Sequence, residues 1–239
     1  MSFSPLYNLY QKLEIISVPI SIFSLDYSLA PTAKYPIQLN QAAQAYSYLI
    51  NDIGIDPRNL IVGGDSAGGN LALQLLRHIA KPHPNIEQVS VIFPSNSRPR
   101  KCILISPWVA MDHTAPSVIK NKHVDMLVKT CGDRWAWNWK GDHVDEFTDP
   151  IIVSGEEWRD ILPPTLVVSG EKELLYDDIL QLCNNIRKVL DSVKVKKIYC
   201  RVDLSLWRTI AGGNVMIGGL WMLMFMGLMI PRAMNATMG

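Results

Sequence analysis

Cysteine is scarce: four in 239 residues, Cys102, Cys131, Cys183 and Cys200, with no two at CxxC spacing. That excludes the commonest zinc and redox motifs, and a chain of this length needs no disulfide staples. Four buried or idle thiols in a reducing compartment are expected. Charge of one sign is missing too. Lys plus Arg is 23 and Asp plus Glu is 22, leaving a net charge of +1. With no basic surplus to neutralise a phosphate backbone, nucleic acid is not expected as a partner. The opening MSFSPLYNLYQKLE has no basic stretch followed by an apolar run, so a secretory leader is not expected and a cytoplasmic location is. The first glycine is Gly54. Five histidines occur (His78, His83, His113, His123 and His143), none beyond residue 143. No internal repeat or low-complexity linker appears. What is present is a 48% hydrophobic, 19% charged composition, enough to fill a core and incompatible with a disordered chain.

Strand and helix patterns alternate. Residues 15–27 (IISVPISIFSLDY) are rich in Ile, Val and Phe and read as a buried strand. Pro36 to Asp52 places Leu39, Ala42, Ala43, Tyr46, Leu49 and Ile50 at helical spacing, with Pro36 suited to a first turn and Gly54 to a stop. Leu60–Val62 reads as a short strand and residues 67–79 as a helix. Further strands are expected at Cys102–Ser106, Thr165–Ser169 and Val193–Tyr199, with a helix at Leu174–Leu190. Lys81–Arg100 is a proline-bearing loop, and 107–164 is expected to be irregular, holding Trp108, Trp135, Trp137, Trp139 and Trp158. This order predicts an α/β domain with a mainly parallel sheet.

The segment that carries chemistry is Gly64-Asp65-Ser66-Ala67-Gly68, a G-x-S-x-G between a strand and a helix. A serine on so sharp a turn is strained, and side chains two residues before and after it would collide with the flanking strand and helix. Gly64 and Gly68 remove them. Ser66 would then project from the C-terminal edge of the sheet, with the Ala67 N–H at the helix N-terminus facing a developing oxyanion. The competing reading is a phosphate-cradling turn. It lacks the lysine of a P-loop, and no G-x-G-x-x-G is present.

DYSLAP at 26–31, GDSAGGNLA at 64–72, Ser106-Pro107-Trp108 and Leu162-Pro163-Pro164-Thr165 follow one another in the order seen in α/β-hydrolases. Over residues 15–200 the chain resembles the hormone-sensitive-lipase branch, which includes arylacetamide deacetylases and fungal steryl-acetate deacetylases. The resemblance implies a mostly parallel sheet with helices on both faces. It also implies ester hydrolysis through a Ser–acid–His triad and an acyl-enzyme, with no metal or organic cofactor. The wording resembles fungal members, which often serve secondary-metabolite biosynthesis. By position, Glu173 matches the acid slot and Asp177 the later acidic position, with Glu171 the nearest rival. A solvated acidic helix start is the plain alternative.

Two parts that the family carries are missing. No HGGG-type oxyanion loop precedes Asp26, so the opening strands are expected to be absent, and no histidine follows Glu173. His113, just beyond a strand end, is a candidate substitute base, though a loop or cap histidine is the plainer reading. His78 and His83 should lie far from Ser66. These gaps set two functional expectations side by side. One is an esterase or deacetylase acting on a small-molecule ester through Ser66, Glu173 and the Ala67 N–H. The other is a catalytically inactive relic or non-catalytic binding domain of the same fold.

The composition changes near the end. Residues 1–203 read as the hydrolase core, with a cap-like insertion at about 107–164, and 204–239 as an atypical tail. Seven of the ten methionines lie in 216–239, and residues 209–231 carry no charge. The tail reads first as a frame-shifted or intron-derived segment, next as a membrane anchor long enough to span a bilayer, and last as a packed core helix.

Overall fold

The computed structural model describes residues 21–89, 98–190, 200–201 and 224–228, the last two groups and Leu190 by backbone alone. Strand β1 (Ser21–Leu25) is the described part of the first apolar run. Helix α1 (Ile37–Ser47) buries Leu39, Ala42, Ala43 and Tyr46 and runs into a π-helical turn, Tyr48–Asp52. Gly54 takes a positive φ of 78° directly afterwards, the backbone freedom that ends the helix. Strand β2 (Leu60–Asp65) leads without a loop into helix α2 (Ala67–Ala80). Strand β3 (Lys101–Ile105), strand β4 (Thr165–Val168), helix α6 (Tyr176–Leu190) and the two-residue strand β5 (Cys200–Arg201) complete the alternation. Residues 193–199, expected as a strand, lie outside the described residues.

The 107–164 insertion is more regular than its sequence suggests. It contains α3 (Pro116–Lys120), α4 (Lys129–Lys140) and α5 (Gly155–Ile161). Pro116 occupies a first-turn position of α3, and Ser154 caps α5 by accepting the Glu157 N–H at 3.2 Å. Trp158 is fully buried in the main core, which ties the insertion to it, and donates its indole N–H to the Pro150 carbonyl within the insertion at 3.1 Å.

The sheet order is β1-β6-β2-β3-β4-β5, where β6 is Met224–Leu228. Strands β2 to β5 are parallel. β6 lies antiparallel between β1 and β2 and is the only described strand paired with β1. Five residues of the compositionally odd tail therefore join the sheet. None of the sequence readings of that tail foresaw a strand, because a glycine- and methionine-rich run carries little β signal. Among the described residues, no helix is long and apolar enough to cross a membrane.

The helices cover the sheet unevenly. α1 packs on α2, α2 on α5 and α5 on α6, so the described helices form one continuous layer. Right-handed crossovers that all advance in the same direction put them on one face. In β3 and β4, Cys102, Leu104, Thr165 and Val167 are buried and the alternate residues Ile103, Ile105, Leu166 and Val168 half-buried, whereas β2 is buried on both faces from Leu60 to Gly64. Buried Arg77, on α2, forms ion pairs with Glu157 and Glu146 and stands 5.2 Å from the Phe147 ring centroid, joining this layer to the insertion.

Candidate active site

Ser66 has φ 56° and ψ −119°, a conformation that L residues avoid, and it stands between the last residue of β2 and the first of α2. Close approach of strand and helix forces the sharp turn. A Cβ on Gly64 would lie 2.2 Å from the backbone C and O of Gly68, so only glycine fits there, and Gly68 supplies the backbone that fills the space. A Cβ on Gly69 would lie 2.8 Å from Pro107 Cβ. Three hydrogen bonds hold the strained residue. Its N–H donates to the Ile105 carbonyl at 2.9 Å, and its own carbonyl accepts from the Trp108 N–H at 2.9 Å and the Asn70 N–H at 3.1 Å. The Ala67 N–H belongs to the first turn of α2, where backbone donors have no intrahelical acceptor.

Glu173 lies just beyond the end of β4, at the same sheet edge. Its Oε1 accepts from Ser106 Oγ at 2.8 Å and its Oε2 from Ser169 Oγ at 3.2 Å. Ser106 follows β3 directly and also has positive φ, 43°. Burial raises the Glu173 carboxyl above the ordinary range, while the donors from Ser106, Gly170 and Ser169 pull it back down. Asp65, next to Ser66, is pushed up to about 7, first by burial and then by the Glu173 charge. The ends of β2 and β4 thus bring the Asp65 and Glu173 carboxyls within electrostatic reach of each other. Sequence reasoning passed over Ser106, Ser169 and Asp65, although Ser106 opens the Ser-Pro-Trp motif and Asp65 is the second residue of the G-x-S-x-G.

The other acidic candidates do different work. The Asp177 carboxylate accepts the Ser117 N–H at 2.7 Å, and Glu171 is exposed, with its carbonyl accepting from Asn121 at 3.1 Å. Both anchor the insertion.

The histidines separate clearly. His78 lies roughly 18 Å along the helix axis from Ser66. Its Nδ1 accepts the His83 N–H at 3.0 Å. His113 is buried and lines the same small cavity as Ser66. Both of its ring nitrogens are engaged: Nδ1 with Asp133 Oδ1 at 2.9 Å, and Nε2 as acceptor of the Trp108 indole N–H at 3.1 Å. His113 therefore holds Trp108 in place, and its lone pair is not free for Ser66.

Two cavities meet at this edge. The small one, about 20 Å³, is bordered by Ser66, Trp108, His113, Leu127 and Leu174. The large one, about 240 Å³ and mainly apolar, is bordered by Tyr27, Leu29, Ala67, Trp108, Trp135 and Trp139. Trp108 and Trp135 wall both, so the tryptophan-rich insertion roofs the site.

Comparison with known proteins agrees with this architecture. The model of the alpha/beta hydrolase fold family matches residues 16–200. An esterase of Acinetobacter venetianus is 32% identical over 160 residues, covering 66% of this chain and 48% of the relative. Steryl acetyl hydrolase 1 of Saccharomyces cerevisiae is 29% identical over 107 residues, 45% of this chain and 22% of the relative. A crystal structure of an esterase from the bacterial hormone-sensitive lipase family superposes with a TM-score of 0.59 at 26% identity, covering 79% of this chain and 58% of that one. The chain spans half or less of the length of these two curated relatives. Because the family model matches most of its residues, this chain belongs to the α/β-hydrolase fold family.

Proposed function

We propose that this chain carries the nucleophile and the acid of a carboxylic ester hydrolase, an esterase or deacetylase acting on a small or medium apolar ester. The observation that carries the reading is the strained Ser66 at the strand-to-helix turn, with Glu173 held by two serine hydroxyls at the same sheet edge. In this reading Ser66 Oγ gives its proton to a histidine of the completed chain as it attacks the ester carbonyl carbon, and the oxyanion faces the Ala67 N–H. The alcohol leaves with a proton, and water then releases the acid from the acyl-enzyme. Glu173 would orient that histidine and stabilise its imidazolium, which returns the proton to the departing alcohol. The large apolar cavity beside Ala67 suits the apolar part of the ester. A place in fungal secondary metabolism rests on the wording of the motifs alone.

A second reading, a non-catalytic domain of the same fold, is favoured by one specific observation. No histidine lies beyond residue 143, and His113 has both nitrogens occupied. Loss of a triad member costs about 10⁴ to 10⁶ in rate and loss of an oxyanion donor about 10² to 10³. The 239-residue chain should barely hydrolyse p-nitrophenyl acetate. A chain completed with an upstream HGG segment and a downstream histidine loop should hydrolyse it, and Ser66→Ala should abolish that activity. An inert completed chain would leave the binding-domain reading standing. Turnover by the unmodified chain that is lost in Ser66→Ala would show that another base serves Ser66, and His113→Ala would test which.

A further inference from the structure

The residues from Thr114 to Gly132 form a lip beside the Ser66 cavity, and their side chains divide sharply into two sets. Ser117, Asn121 and Asp125, spaced four apart, turn inward. The Ser117 hydroxyl donates to the Leu174 carbonyl at 2.6 Å, and the Asn121 amide donates to the Glu173 carbonyl at 2.8 Å. The Asp125 carboxylate accepts the Leu127 N–H at 3.0 Å and the Leu174 N–H. These bonds fasten the lip to the loop that carries Glu173. Val118 also packs inward, against Leu174, and most of the other residues between them point outward. Ile119, Val124, Met126 and Val128 are 72%, 61%, 70% and 53% exposed. Large apolar side chains held in water by a fastened backbone form a preorganised surface rather than a frayed loop.

The segment's own outward charge has one sign, although exposed Glu171, whose carbonyl accepts from Asn121, borders it. Asp125 is the only carboxylate between residues 114 and 132, and it faces inward. Lys120 and Lys122 are exposed and enter no ion pair among the described residues, whereas Lys129 is paired with Asp133. Apolar side chains interleaved with unpaired cations match the acyl boundary and the headgroups of an anionic bilayer. Leu127, inside the same lip, borders the Ser66 cavity.

We propose that the Ile119–Val128 lip docks on an anionic lipid surface and sets the mouth of the site against the phase in which an apolar ester dissolves. The choice of lipid as partner rests on the ester hydrolase reading, but the docking is measurable without hydrolysis. The test is co-sedimentation of the full 239-residue chain with vesicles of phosphatidylcholine alone and of phosphatidylcholine with a quarter phosphatidylserine, at low and high salt. The chain should bind the anionic vesicles, and high salt should release it. The triple variant Ile119→Ser, Val124→Ser, Met126→Ser and the double variant Lys120→Glu, Lys122→Glu should each lower the partition about tenfold. Single substitutions Met126→Ser and Lys122→Gln give the same readout in smaller steps should a combined variant fail to fold. Absence of vesicle binding overturns the proposal. So does binding that ignores lipid charge and every lip substitution, which would assign it to the apolar 209–231 run. A wild-type dimer that the triple variant dissociates, without vesicle binding, would make a second copy the occupant. Failure of the esterase reading would register separately, as an inert completed enzyme.

Discussion

Asp65 offers the most direct measurement of how the turn handles charge. Its carboxyl rises from 3.8 to about 7 in the folded chain, by burial first and by the Glu173 charge second. A raised folded pKa means that the native state holds a proton the unfolded chain has released. The associated stability is complete below the unfolded value and is lost as pH rises through the folded one. Between pH 5 and pH 8 the shift corresponds to about 2.5 kcal/mol at about 1.4 kcal/mol per pH unit. That figure is an upper limit, since Asp65 is half-buried and water screens part of the charge. Glu173, and Asp178 at about 6, act in the same direction. His78 and His83 are lowered mainly by burial and act in the opposite one. The total pH profile therefore mixes signs, and the difference between wild type and Asp65→Asn isolates one group. Urea unfolding followed by tryptophan fluorescence at pH 5, 6, 7 and 8 should show the variant gaining on wild type by about 1 to 2.5 kcal/mol across the series. Parallel profiles would refute the reasoning, because they would mean that Asp65 is ionised throughout in the folded chain.

Gly64→Ala drives a methyl group into the Gly68 backbone and should cost about 3 kcal/mol or more in chemical denaturation. A loss below about 1 kcal/mol would show that α2 can retreat from β2. Trp158→Ala empties a fully buried site and abandons the Pro150 carbonyl, for an expected loss of about 3 to 5 kcal/mol in the same assay. Ser106→Ala removes one hydroxyl donor from Glu173. It should cost about 1 kcal/mol of stability and, in the completed enzyme, move the acid limb of the pH–rate profile upward. An unmoved limb would mean that Glu173 does not govern that titration.

Much of the frame was legible because its signals are local. Apolar runs at Leu60 and Cys102, helical spacing from Leu39 to Ile50, and a G-x-S-x-G between a strand and a helix each depend on neighbours in the chain. They placed β2, α1, α2 and the Ser66 turn within a few residues. The helices of 107–164 were less legible, since their tryptophans are spaced for packing on distant elements, although the Ser154 cap was in plain view. What the tertiary structure alone decided are meetings between residues far apart in the chain. Ser106 and Ser169 converge on Glu173 because β3 and β4 end side by side. His113 is consumed by nearby Trp108 and, 20 residues on, by Asp133 of α4, a pairing made only once α4 packs against the loop after β3. Asp65 acquires a neighbouring charge because parallel strands deliver their C-terminal residues to one edge. β6 lies between β1 and β2 through hydrogen bonds that no local pattern announces. Periodicity and turn chemistry are properties of a few consecutive residues, so sequence determines them unaided. The partners of a buried carboxyl or imidazole are set by which strands lie adjacent, and strand adjacency exists only once the chain has folded.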